Sequence, residues 1–111
     1  MTTLITGGTG FVGSNLEGQY KVSSRDANLM DFEQTKVLLA KYMPKIIVHA
    51  AGRHGNYVQI NEDKVSYYRD NALISINIFE AARLCGVKNM LAFSSVTAFP
   101  DRINHFSEED L

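Results

Sequence analysis

"TGGTGFVGS", Thr6 to Ser14, follows the short apolar run of Leu4 and Ile5 and opens a stretch with the apolar spacing of a helix, Phe11, Val12 and Leu16. An apolar run that ends on glycine fits a buried parallel strand, Thr2 to Thr6, feeding a tight turn. The glycines at 7, 10 and 13 divide the work of that turn. Gly7 permits the sharp exit from the strand, Gly10 lets backbone approach a pyrophosphate, and Gly13 lets the helix pack closely on the sheet. The helix N-terminus then presents unpaired N–H groups to phosphate oxygens. Because the motif sits between a strand and a helix, Gly7, Thr9, Gly10, Phe11, Val12 and Gly13 read as one wall of a dinucleotide site.

Outward from this turn the elements alternate. Gly18 cuts the first helix short, and Tyr20 to Ser23 is the candidate second strand. Phe32, Val37, Leu38, Leu39 and Tyr42 lie near helical spacing, which predicts a helix over 31–42 with Asp31 as its N-cap and Pro44 just beyond its end. Lys45 to His49 is a third apolar strand. Residues 53–62, "RHGNYVQINE", have no clear period and read as a loop. Lys64 to Cys85 predicts a long helix whose buried stripe is Tyr68, Ala72, Ile76, Phe79 and Ala82, stopped by Gly86. Val87 to Ser94 is the fourth strand. Strands alternating with helices, without repeats or a linker, predict one α/β domain over 1–111: a three-layer parallel sheet of about four strands with helices on both faces.

The composition agrees. A chain of 111 residues, 45% hydrophobic, suits a single core. Eleven basic and twelve acidic residues leave a net charge of -1, which gives no electrostatic reason to expect nucleic acid or a membrane surface as partner. No apolar run approaches the roughly 20 residues of a spanning helix, and "MTTLITGG" carries no charged leader, so a soluble cytoplasmic protein is expected. The lone Cys85 excludes a disulfide within the chain and reads as a packed thiol near a helix end. His49, His54 and His105 show no metal-ligand spacing, so no metal site is expected. His49 closes an apolar strand and reads as a buried, satisfied histidine rather than a base. Tyr67 and Tyr68 are expected to pack or to face a subunit interface. Ser107 to Leu111, "SEEDL", reads as a capped helix start with acidic residues in its first turn.

Several segments carry a resemblance beyond the glycine turn. "NLMD" (28–31), "VHAAG" (48–52), "DNALISINIFEAAR" (70–83) and "FSSVTAF" (93–99), with the G-x-x-G-x-x-G spacing, resemble the extended branch of the short-chain dehydrogenase/reductase superfamily. This branch comprises NAD-dependent epimerases and dehydratases of nucleotide sugars. Within it, "SRDANLMD" and "HGNYVQINEDKVSYYRDN" are most similar to the GDP-L-fucose synthases, and the resemblance covers nearly the whole chain. It implies a Rossmann-type sheet, Asn28 and Leu29 along the adenine ring, and Ala50, Ala51 and Gly52 beside the cofactor ribose.

The same resemblance implies active-site roles. Asn71, which on residues alone is more often a solvent-facing or locally bonded helix residue, would by the resemblance support the active site. Ser94 and Ser95 by themselves are two polar residues closing a strand. The family pattern, a serine four residues before an aromatic, selects Ser95 by its distance from Phe99 as the hydroxyl that bonds substrate and orients proton transfer. Thr97 stands where GDP-L-fucose synthases carry an acid/base cysteine. A threonine hydroxyl, with a pKa far above that of a thiol, is no comparable acid or base near neutral pH. A 4-ketoreductase, 4-epimerase or dehydratase stays open. For the cofactor, an acidic side chain after the second strand would bond ribose hydroxyls and an arginine would take a 2′-phosphate. Arg25 and Asp26 are adjacent, so the residues leave both readings open, and the resemblance implies NADP with Arg25 at the phosphate, NAD being the alternative.

The family's Tyr-x-x-x-Lys pair does not occur: Tyr20, Tyr42, Tyr57, Tyr67 and Tyr68 are followed four residues on by Ser24, Ile46, Asn61, Asn71 and Ala72. Three expectations follow. The chain is the cofactor half of a reductase or epimerase acting on a nucleotide sugar and is inactive alone; or it is an NAD(P)-binding module without catalysis; or it is an interaction module. In each, the apolar fourth strand at a sheet edge predicts a homo-oligomer.

Overall fold

The computed structural model describes residues 2–93 and Glu109. Four strands, β1 (Thr3–Thr6), β2 (Tyr20–Val22), β3 (Ile46–His49) and β4 (Asn89–Ala92), form one parallel sheet in the order β2-β1-β3-β4. Between them lie helices α1 (Phe11–Ser14), α2 (Phe32–Tyr42), α3 (Tyr57–Glu62) and α4 (Lys64–Leu84). Each strand is a residue or more shorter than expected. Ser94 lies outside the described residues, as do Ser107 and the helix start expected there.

The strand order fixes the layers. The step from β1 to β2 runs one way across the sheet and the step from β2 to β3 runs the other, so right-handed crossovers put α1 and α2 on opposite faces. α2 and α4 pack side by side on one face, over a core of Leu4, Val22, Leu38, Leu39, Ile47, Ile78, Ala81 and Ala82. Leu4 and Ile5 alternate between faces, as strand pleating requires. Ile5 is fully buried on the other side, where its side chain lies against Gly18.

Helix ends follow their capping chemistry. Asp31 accepts from the Gln34 N–H at 3.2 Å and caps α2 as expected. Residues 53–62, expected as a loop, instead contain α3. Asn56 accepts from the Gln59 N–H at 2.8 Å while the Gln59 side chain accepts from the Asn56 N–H at 2.9 Å, a reciprocal capping box. Its six residues bury no side chain, which is why no apolar period announces it.

α4 is correct in extent but not in phase. Its buried positions are Asp70, Ile74, Asn77, Ile78, Ala81 and Ala82, whereas Tyr68, Ile76 and Phe79 of the expected stripe are exposed. Apolar residues occupy both sides of this helix, so hydropathy leaves its orientation ambiguous. Two buried polar groups, Asp70 and Asn77, mark the inward face through partners elsewhere in the chain. Among the described residues, no helix is long and apolar enough to cross a membrane.

Candidate functional site

At the carboxyl ends of β1, β2 and β3 the chain leaves the sheet in three adjacent loops. Because β1 is the strand from which the connections diverge to either side, the crevice beyond it is the topological switch point of the sheet. A cavity of about 540 Å³ opens there. Gly7, Thr9 and Gly10 line it from the first loop, Ser23, Ser24 and Ala27 to Met30 from the second, and Ala50 to His54 from the third. Leu38 of α2 and Ile74 of α4 supply apolar floor.

The first loop needs its glycines for close approach. Gly7 sits at φ +68°, and a Cβ there would lie 2.6 Å from the Ala50 carbonyl oxygen. Gly13, expected to ease packing of the helix on the sheet, instead packs on the turn itself, where a Cβ would collide with the Gly7 carbonyl. α1 starts at Gly10 without a side-chain cap, whereas α2, α3 and α4 are capped by Asp31, Asn56 and Asp63. The amides of its first turn are therefore left to other partners.

Of the residues singled out in the sequence, Gly7, Thr9, Gly10, Asn28, Leu29, Ala50, Ala51 and Gly52 meet in this cavity. Phe11 and Val12 do not line it; both are exposed. Arg25 is exposed in the turn next to Ser24 and lies off the cavity wall. Ser95, Thr97 and Phe99 lie outside the described residues. Ser23, Ser24, Arg53, His54 and Ile74 were not foreseen. The two serines carried a readable signal, since they directly follow the short strand β2.

Beneath the loops lies a polar layer. The Asn71 side chain clamps one residue of the third loop: its Oδ1 accepts from the Arg53 N–H at 2.6 Å and its Nδ2 donates to the Arg53 carbonyl at 3.0 Å. The Arg53 guanidinium donates to Asp70 at 2.8 Å and to the Ser66 hydroxyl, and lies 4.0 Å from the centre of the Tyr67 ring. Burial raises the Asp70 carboxyl, but hydrogen bonds and charge from Arg69 and Arg53 outweigh it and hold the carboxyl below its ordinary value. Asn77 donates to the Leu29 carbonyl at 2.9 Å and fixes the second loop in the same way. Burial holds the His49 imidazole below its ordinary 6.5, so it is neutral near pH 7. Among the described residues, no group of three or more His, Cys, Asp or Glu side chains is placed to hold a metal ion.

A glycine turn at a switch-point crevice is shared by many nucleotide-binding sheets, and comparison narrows it. Residues 3–111 match the NAD dependent epimerase/dehydratase family. A probable GDP-L-fucose synthase of Drosophila melanogaster is 29% identical over 97% of this chain and 37% of its own length. A GDP-L-fucose synthase of Dictyostelium discoideum is 27% identical over 99% of this chain and 38% of its own. The crystal structure of a GDP-L-fucose synthetase from Naegleria fowleri bound to NADP superposes with a TM-score of 0.80, at 31% identity over 98% of this chain and 35% of that one. The chain thus spans little more than a third of the length of these relatives. With residues 3–111 matched by the family as a whole, this chain belongs to the NAD dependent epimerase/dehydratase family.

Proposed function

We propose that the chain is the NADP-binding part of a sugar-nucleotide reductase or epimerase of the GDP-L-fucose synthase type. The observation that carries this reading is the make-up of the second loop at the cavity. Ser23 and Ser24, not a carboxylate, follow β2 and line the cavity. Asp26, the acidic side chain closest in sequence to these serines, spends its Oδ2 on the Ser23 N–H at 2.8 Å and faces a separate depression against α2. Among the described residues no carboxylate lines the cavity, whereas a carboxylate bonded to the ribose hydroxyls is the arrangement that selects NAD. Arg25, exposed and adjacent to Ser24, would supply the cation for a 2′-phosphate, and the serine hydroxyls would supply further donors. A relative of this chain was crystallised with NADP.

In this reading Gly7, Thr9 and Gly10 pass the pyrophosphate, Asn28 and Leu29 border the adenine, and Ala50 to Gly52 border the ribose on the nicotinamide side. NADP when bound exchanges hydride with the sugar. Asn71 holds the third loop, and Ser95 hydrogen-bonds the substrate. Thr97 withholds a thiol acid/base, which favours reduction over epimerisation as the chemistry of the sugar.

Fluorescence titration tests the reading. NADPH is expected to bind at least about tenfold tighter than NADH, and Arg25→Ala to abolish most of that difference by weakening NADPH alone, as loss of a charge-assisted contact predicts. No binding of either nucleotide at millimolar concentration would overturn it. Self-association is part of the proposal. Tyr68, Ile76 and Phe79 on α4 and Leu91 on β4 expose apolar surface, and light scattering of the chain is expected to give more than its 12.4 kDa.

A further inference from the structure

Thr6 ends β1 and His49 ends β3, and the two are register partners in the parallel pairing. Both are buried. The Thr6 Oγ1 lies 2.7 Å from the His49 Nδ1, 3.1 Å from the Ala50 nitrogen and 3.2 Å from the Ala51 nitrogen. A hydroxyl has one proton to give and two lone pairs to receive. The two backbone N–H groups can only donate, so they occupy the lone pairs and the hydroxyl proton goes to Nδ1. The histidine nitrogen is therefore an acceptor, and the ring proton resides on Nε2.

This arrangement shapes the chain beyond β3. Successive N–H groups of an extended strand point in opposite directions, so two of them can meet one acceptor only where the backbone turns. Thr6 Oγ1 supplies that acceptor at the point where Ala50 and Ala51 leave the sheet to become cavity wall. The Ala50 N–H is also shared with the Thr6 carbonyl, at 3.3 Å, whereas the Ala51 N–H donates to Thr6 Oγ1. On the far side of the same peptides, Gly7 approaches the Ala50 carbonyl too closely for any side chain.

We infer that Thr6 and His49 act as a positioning pair: the imidazole fixes the hydroxyl rotor, and the hydroxyl fixes the curvature of the Ala50–Ala51 wall and so the width of the crevice. That the wall borders a dinucleotide rests on the cofactor reading above; that the pair holds the wall does not.

Nitrogen-15 NMR of the chain without nucleotide reads the pair directly. Between pH 6 and 8 the His49 ring is expected to show an unprotonated Nδ1 and a protonated Nε2, with the Ala50 and Ala51 amides protected from hydrogen exchange. A proton on Nδ1, or unprotected amides, overturns the inference without any variant. In Thr6→Val the Ala51 amide should exchange about fivefold to tenfold faster, with a smaller change at Ala50, and NADPH should bind weaker by a similar factor. Thr6→Ser should restore both to within about threefold, the spread of one hydrogen bond. A folded Thr6→Val with wild-type exchange at Ala51 refutes the pair. If the wild-type chain binds neither NADPH nor NADH, the cofactor reading fails, and the ring and amide signals still decide whether the pair holds the wall.

Discussion

Gly7→Ala is the sharpest probe of the cavity because two separable penalties meet there. The first is conformational: φ at Gly7 is +68°, and a side chain in the left-handed region costs about 1–2 kcal/mol. The second is steric. The new Cβ would lie 2.6 Å from the Ala50 oxygen, 2.7 Å from its carbonyl carbon and 2.8 Å from the Ala51 Cα, where ordinary contact begins at 3.4 Å. The first and third loops would have to part by about 0.8 Å. All three neighbours are backbone, and that backbone is tied to Thr6, so the overlap adds the roughly 1–3 kcal/mol typical of overpacking. The expected total is about 2–5 kcal/mol. Gly86→Ala supplies the control. It has a similar φ of +75° with nothing within 4 Å, so it carries only the conformational term, about 1–2 kcal/mol. Urea unfolding followed by circular dichroism, at constant m-value, measures both. Equal losses in the two variants, within about 0.5 kcal/mol, would refute the claim that the loops are in contact at Gly7.

Three further outcomes follow from local geometry. Met43 ends α2 at φ 45° with its side chain 65% exposed, so Met43→Gly relieves left-handed strain at little packing cost. The expected gain is about 0.5–1 kcal/mol, visible as a rise of several degrees in the thermal midpoint, and a fall would contradict the left-handed cap. His49 is held below its ordinary 6.5 by burial, so as pH falls below that value the unfolded chain takes up a proton that the folded chain refuses. Stability should be flat above about pH 7.5 and should fall as pH drops below 6.5, by no more than the one-proton maximum of about 1.4 kcal/mol per pH unit. His49→Gln should remove the slope, whereas Asp70, whose carboxyl is held low, acts in a separate window and loses its contribution only as pH falls below about 3.8. Asn71→Leu strips both bonds to the Arg53 backbone and should cost about 1–3 kcal/mol in urea unfolding, with Asn71→Asp, which keeps the acceptor, falling between it and wild type.

What could be read from the sequence were features whose causes are local. The apolar run into Gly7 gave a strand and turn, and Asp31 ahead of an apolar period gave a capped helix, because the donor and acceptor stand three residues apart. The long helix was visible in extent and misread in phase. Its inward face is set by Asp70, whose partner Arg53 is 17 residues away, and by Asn77, whose partner Leu29 is 48 residues away. No periodicity encodes such a pairing; a buried carboxylate looks in sequence like an exposed one. α3 was missed for the converse reason: it buries nothing, and its only marker, Asn56 with Gln59, is a polar spacing easily taken for loop. Within the site, the residues that line the cavity by backbone, Gly7 and Ala50 to Gly52, were accessible through motif spacing. Arg53, placed by the clamp from Asn71, and His54 next to it were not.

The cavity and the core are held by different forces, and this separates the effects of mutation. Apolar packing of α2 and α4 on β1 and β3 fixes the sheet. The mouth of the cavity is fixed by polar bonds. Asp70, Asn71 and Asn77 lie within about two turns of α4, the first two gripping Arg53 in the third loop and the last gripping Leu29 in the second. Thr6 joins the end of β1 to the wall at Ala50 and Ala51. A truncation in the core, such as Ile78→Ala at a fully buried side chain, removes about 2–5 kcal/mol of stability yet leaves these bonds in place, so the folded fraction should bind nucleotide as before. Loss of Asn77 costs one hydrogen bond, about 1 kcal/mol, but frees the Leu29 segment that faces the cavity. Asn77→Ala should therefore weaken NADPH binding out of proportion to its effect on unfolding. An affinity that tracks stability alone across both variants would mean that α4 serves the core and not the mouth.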